Sequence, residues 1–222
     1  MKQLQVDLQH CYGIKALKEQ FDFSGGKACA VYAPNGAMKS SLAKTFLEEI
    51  EEWRSILAKN IALRNPGLSV RDLNTAVQRT IDRIIFLRIA EDRGIEPYGR
   101  LRELTKGADA YKRLTHLFRQ ADDRYNSGLF HFKADEGAAE PLDKFTLRLN
   151  IDDKPLRQVF ASLYYPESPY EFSVLPADIL GQVYEQFLGK VIRLRGRSAI
   201  IEEKPEVKKA GGVFYTPTFV VR

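Results

Sequence analysis

A mainly α-helical fold, preceded by a small α/β segment, is predicted for this chain by three observations. From residue 70 to residue 191, apolar side chains recur three and four positions apart in several long runs, which is the spacing of a helix face. Proline and glycine stand at the ends of these runs, with Asn65-Pro66-Gly67 and Gly94 as the clearest stops. The first 46 residues have another texture, with an alternating run and then a continuous apolar one.

Taken in order, Leu4, Val6 and Leu8 alternate with polar residues and predict a strand. Phe21-Asp22-Phe23 leads into a Gly25-Gly26 turn, and Ala28-Cys29-Ala30-Val31-Tyr32 predicts a buried strand. After the loop Ala33-Pro34-Asn35-Gly36-Ala37-Met38, Lys39 and Ser40 open a helix that continues through Trp53 and Leu57 to about Leu63. Pro66 ends it, because proline lacks a backbone donor and biases its predecessor away from the helix. Ser69 followed by Asp72 is a capping arrangement for the next helix. There Leu73, Val77, Ile81, Ile84, Ile85 and Ile89 follow at helical spacing to Gly94, which predicts the central strut of the fold.

Leu101 to Leu104 and Tyr111 to Tyr125 predict two further helices, the second with Leu114, Leu117 and Phe118 on its apolar face. Asp135 to Pro141 predicts a surface loop, residues from Asp153 to Tyr164 a helix, and Pro166 to Pro169 a rigid turn. Ala177 to Val191 predicts an amphipathic helix with Leu180, Val183, Tyr184, Phe187, Leu188 and Val191 on one face. Ile192 to Ile201, interrupted at Gly196, predicts a hairpin, and Glu202 to Lys209 a charged, exposed link.

With 44% hydrophobic and 28% charged residues, the chain of 222 residues has the composition of a globular protein. A net charge of +5 favours a polyanionic partner. The two cysteines, Cys11 and Cys29, are not spaced as metal ligands, so a reduced, cytoplasmic protein is expected. No run approaches the ~18 apolar residues of a membrane span, and no membrane partner is expected.

Strand, loop, Lys-Ser and helix is the order of a P-loop. Asn35, Gly36, Lys39 and Ser40 are therefore candidate contacts for Mg-ATP, with Lys39 for the outer phosphates and Ser40 for magnesium. Ala33 and Met38 stand where the pattern has glycines, and the acidic pair Glu91-Asp92 lies in a helical rather than a strand context. Glu202-Glu203-Lys204 matches half of a carboxylate-lysine nuclease site, yet such triplets are common in charged links. Arg79, Arg83, Arg88, Arg93, Arg100 and Arg102 alternate with acids, which predicts intramolecular ion pairs. Arg193, Arg195 and Arg197 form the purer positive cluster and are the candidates for DNA backbone contact. The aromatic pairs around His131 and Tyr164 predict core packing rather than base stacking.

Several long motifs carry a family resemblance. They are Ala76 to Gly94 (AVQRTIDRIIFLRIAEDRG), Tyr125 to Phe132 (YNSGLFHF), Leu163 to Phe172 (LYYPESPYEF), Ile179 to Gly189 (ILGQVYEQFLG), and Ala210 to Val221 (AGGVFYTPTFVV). From about Trp53 onward the chain is similar to the helical connector of Eco57I-like type IIG restriction-modification enzymes, which are adenine-specific DNA methyltransferases. The resemblance implies a mainly α connector leading into the edge of a methyltransferase domain, with S-adenosylmethionine as cofactor, DNA as partner, and Tyr215, Thr216 and Pro217 beside the methionine end of the cofactor.

The family's Asp-Pro-Ala-Cys-Gly-Ser-Gly loop and Asn-Pro-Pro-Tyr site do not occur in these residues. A catalytically incomplete piece, fragmentary or truncated, is expected, paired with a separate methyltransferase or nuclease chain or with none. Residues 1 to 46 resemble the P-loop start of ABC-type or SMC-like ATPases, so a fused gene product is expected. The expected division is a degenerate P-loop segment (1–46), a helical connector (47–198) and the start of a methyltransferase domain (199–222). The alternatives are a small nucleotide-binding module and a non-catalytic DNA-binding connector.

Overall fold

A computed structural model describes residues 3–11, 14–22, 24–26, 39–125, 127–134, 143, 145–164, 167–168, 172, 177–195, 198–205 and 207. The N-terminal alternation forms β1 (Gln3–Cys11), which pairs antiparallel with β2 (Ile14–Asp22) in a register that sets Leu4 opposite Phe21 and Leu8 opposite Leu17. Asp22 then accepts hydrogen bonds from the Ser24 amide and hydroxyl, both at 2.9 Å, and Gly25 turns the chain at φ 69°, a conformation open to glycine. The strand expected over Ala28–Tyr32, the loop Ala33–Met38, the loop Asp135–Pro141 and most of the Pro166–Pro169 turn lie outside the described residues.

With no glycine or proline inside it, α1 (Lys39–Arg64) runs unbroken across residues 46 and 47, where the sequence texture changes. Phe46, Ile50, Trp53, Leu57 and Ile61 recur at helical spacing and are buried. Asn65 ends the helix as expected. Its amide nitrogen donates to the Ile61 carbonyl at 2.9 Å and to the Asn150 carbonyl at 2.9 Å, while its side-chain oxygen accepts from the Asn150 amide at 2.9 Å.

The expected cap opens α2 (Val70–Asp92). The Ser69 hydroxyl accepts from the Asp72 amide at 3.0 Å and donates to the Asp72 carboxylate at 2.7 Å. Leu73, Ala76, Val77, Ile81, Ile84 and Ile85 make α2 the strut against which α1 packs. Each buried leucine, isoleucine or valine among them contributes about 1.5–3 kcal/mol. The short α3 (Arg100–Glu103) and the longer α4 (Ala110–Tyr125) follow, with Leu114, Phe118 and Ala121 of α4 in the same core. α5 (Asp153–Ala161) adds Leu156, Val159 and Phe160.

α6 (Ala177–Leu188) buries Val183 and Phe187 but is shorter than the sequence predicts. Leu188 is 45% exposed, and Val191 belongs to β3 (Lys190–Arg195). The helix yields at Gly189, whose carbonyl accepts from the Lys204 amide at 2.9 Å and so begins the ladder with β4 (Ser198–Glu203). The predicted hairpin is present, antiparallel with Ile192 opposite Ile201, and it extends through Glu202 and Glu203, where a link was expected. Asn74 of α2 fastens the hairpin: its side chain donates to the Ile192 carbonyl and accepts from the Ile192 amide, both at 2.8 Å. The described fold is thus mainly helical, with two small two-stranded sheets.

Candidate functional site

The charged residues of the central strut are placed by helix periodicity, and the core decides their chemistry. Arg83 and Arg88 lie among the buried positions of α2 at 1% and 2% exposure. A buried guanidinium must direct its donors to acceptors, since desolvating it unpaired costs several kcal/mol. Each nitrogen of Arg83 does so: Nε donates to the Leu129 carbonyl at 2.8 Å, one terminal nitrogen to the Thr146 hydroxyl at 2.7 Å, and the other to the Asp143 carboxylate at 2.6 Å. Phe132 stacks over it at 4.6 Å. Burial pushes the Asp143 carboxyl up, but hydrogen bonds from Thr146 and Arg83 outweigh this and hold it below the usual carboxylate range. Arg79 approaches the same carboxylate at 3.3 Å.

One turn further, Arg88 donates to the Leu163 carbonyl at 2.9 Å, pairs with Asp92 and lies 3.9 Å from Glu91. The Tyr164 ring sits 4.3 Å from its guanidinium. Glu91 accepts from the Gly99 amide at 2.9 Å, the Leu101 amide at 3.0 Å and the Tyr164 hydroxyl at 2.6 Å. Burial and the Glu91 carboxylate raise the Tyr164 phenol well above its ordinary range. Asp92 accepts from the Phe172 amide at 2.9 Å. The acidic pair that imitates a magnesium-holding motif therefore fixes backbone in an α-helical setting.

A third arginine, Arg54 of α1, donates to the Phe187 carbonyl at 2.8 Å and to Gln78 at 3.0 Å, with its guanidinium 3.7 Å from the Phe187 ring centroid. Burial lowers its pKa to about 10. It joins α1, α2 and α6.

Of the candidate DNA contacts, Arg193 and Arg195 are exposed on β3. Residues 191, 193 and 195 share a face with 202, 200 and 198, so both arginines reach the Glu202 carboxylate, each at 3.2 Å. Arg197 lies outside the described residues, as do Asn35, Gly36, Tyr215, Thr216 and Pro217. Lys39 and Ser40 form the first turn of α1, with their side chains outside the described set. Among the described residues no group of three or more His, Cys, Asp or Glu side chains converges on one point, and no helix is long and apolar enough to cross a membrane.

Three open clefts mark the described surface. The largest, about 740 Å³, lies between α4 and residues 147–153, and a second of about 360 Å³ continues it through Arg119, Leu147 and Arg148. The third, about 340 Å³, is an apolar groove beside Leu63, Leu68 and Leu194. None of the three is assigned to S-adenosylmethionine, because Tyr215, Thr216 and Pro217 lie outside the described residues. Lys112, Arg119 and Arg148 around the largest cleft were missed by sequence reasoning. All three are exposed and, among the described residues, have no ion-pair partner.

No family model matches the chain, and no solved structure matches it. It is 32% identical over 188 residues to the type II restriction enzyme and methyltransferase RM.Eco57I of Escherichia coli, a match that covers 85% of this chain. The chain is a homologue of part of that enzyme. It spans 18% of the length of this relative. Within the homologous chain, the residues of the Ala76–Gly94 motif have clear physical tasks: Arg83 ties α2 to residues 129 and 143–146, while Arg88 and Glu91 tie it to residues 99–101 and 163–164. The motif is a set of tertiary fasteners.

Proposed function

We propose that this chain serves as the helical connector of an adenine-specific DNA methyltransferase of the type IIG restriction-modification kind, in a system that defends against foreign DNA such as phage. The observation that carries the reading is the homology to a restriction enzyme and methyltransferase, joined to the finding that the shared-looking motif residues are engaged in holding helices together. Within these 222 residues neither a glycine-rich cofactor loop nor an Asn-Pro-Pro-Tyr site occurs. The enzyme's cofactor would be S-adenosylmethionine, which supplies an activated methyl group, and Tyr215, Thr216 and Pro217 are the residues assigned to its methionine end. Residues 39–203 contribute no group to methyl transfer: they position what is attached to them.

Incubation of the chain with methyl-labelled S-adenosylmethionine and mixed-sequence duplex DNA tests this. Label on DNA is expected to stay at the protein-free background. Transfer to adenine above that background, lost on heat denaturation of the protein, would show that the chain is a catalyst.

A further inference from the structure

We propose that the groove between α4 and residues 147–153 holds the sugar–phosphate backbone of duplex DNA. The proposal rests on the reading of the chain as part of a DNA-modifying enzyme and names the surface through which this part touches the substrate.

Lys112, His116 and Arg119 recur on α4 at positions i, i+4 and i+7, on one face of the helix, and all line the groove. Arg148 joins them from the turn at residues 146–148. A rise of 1.5 Å per residue separates Lys112 from Arg119 by roughly 10 Å along the axis, so the two can meet different phosphates of one strand.

What distinguishes this surface is the state of its charges. The acids on its walls are mostly engaged by the protein itself. Asp152 accepts from Arg64 at 2.8 Å and from Asn60 at 2.7 Å; Asp153 accepts from the Ala110 amide at 2.8 Å and from Arg157 at 3.2 Å. At the far end, Asp122 accepts from the Phe132 amide at 3.3 Å and Asp123 pairs with Lys133 at 2.6 Å. Asp109, at the rim, and Asp122, held by a backbone amide alone, have no basic partner among the described residues.

The cations are in the opposite condition. Among the described residues Lys112, Arg119 and Arg148 make no side-chain hydrogen bond and no ion pair, although Asp122 and Asp123 are within helical reach of Arg119 in sequence. Three long cationic side chains without an acidic partner, against two acids without a basic one, leave a local excess of positive charge on the open groove among the described residues. A polyanion running along the groove satisfies it. The hairpin arginines are less suited, since Arg193 and Arg195 share Glu202.

The test is the salt dependence of binding to a labelled mixed-sequence duplex between about 50 and 200 mM salt, because each phosphate contact contributes about 0.9 to the slope of log K against log salt. The Lys112→Ala/Arg119→Ala/Arg148→Ala variant is expected to lose about 2.7 from that slope. Its circular dichroism and melting temperature should match the wild type, as the three side chains hold nothing in the fold. An Arg193→Ala/Arg195→Ala variant is expected to keep the wild-type slope. Equal slopes for the wild type and the groove variant, or a loss in the hairpin variant instead, would overturn the assignment. So would failure of the wild-type chain to bind duplex at about 50 mM salt. The connector reading is judged separately by methyl transfer and stands or falls without this result.

Discussion

Arg83→Met is expected to destabilise the chain by about 3–5 kcal/mol, read as a lower urea midpoint at unchanged m-value. Methionine fills a similar volume, so the loss is electrostatic rather than a cavity. It leaves the Asp143 carboxylate, 5% exposed, with the Thr146 hydroxyl and amide, the Phe145 amide and the more distant Arg79 as its remaining partners. It also strips the Leu129 carbonyl and the Thr146 hydroxyl of a donor.

The effect has a pH signature. In the wild type the Asp143 pKa is lowered on folding, so its contribution is present above the unfolded pKa near 3.8 and fades as pH falls through the folded value. Without Arg83, two of the influences that lower the carboxyl are gone and its pKa rises, so the variant's deficit should shrink as the pH falls toward and through the carboxylate range. Adding Asp143→Asn should recover part of the loss, because an amide carries no charge to desolvate. A cost under about 1 kcal/mol would mean that the pair is solvated.

Glu91→Gln is the second large effect, expected at about 3 kcal/mol. The carboxylate serves three donors at once through two oxygens, and its charge sits beside Arg88. Glutamine retains one acceptor oxygen and turns an NH₂ group toward at least one of the Gly99 and Leu101 amides, so a buried donor loses its partner. The local consequence is more telling than the global one. Gly99 stands at φ 88° before α3, and Glu91 is what holds this left-handed turn against the end of α2. Amide hydrogen exchange at Gly99 and Leu101 should accelerate more than exchange in α1. Unchanged protection at these two amides would mean that the turn holds itself.

Helix spacing made α2 legible, along with its cap at Ser69 and its end near Gly94, because those signals are local in the chain. The same spacing placed Glu91-Asp92 on a helix and separated the pair from a strand-borne magnesium site. The reading of Arg79, Arg83 and Arg88 as internally paired agrees with the structure, but their partners were out of reach: Asp143 is 60 residues from Arg83, and Leu163 is 75 from Arg88.

Local charge pattern misleads in both directions for the same reason. Arg119 has Asp122 and Asp123 within helical reach, yet tertiary contacts draw those acids to Phe132 and Lys133. Arg193 and Arg195 read as free until the β3–β4 register brings Glu202 to their face. At the end of α6 an apolar series continues through Leu188 to Val191, and only the ladder bond at Gly189 shows where helix becomes strand. Tyr215, Thr216 and Pro217 remain a matter of resemblance alone.

Calorimetric titration of S-adenosylmethionine into the chain tests most directly whether this segment connects rather than catalyses. A connector is predicted to show no saturable binding tighter than about 1 mM, roughly −4 kcal/mol. Saturable binding near 1 μM, roughly −8 kcal/mol, would reveal a formed cofactor site and contradict that role.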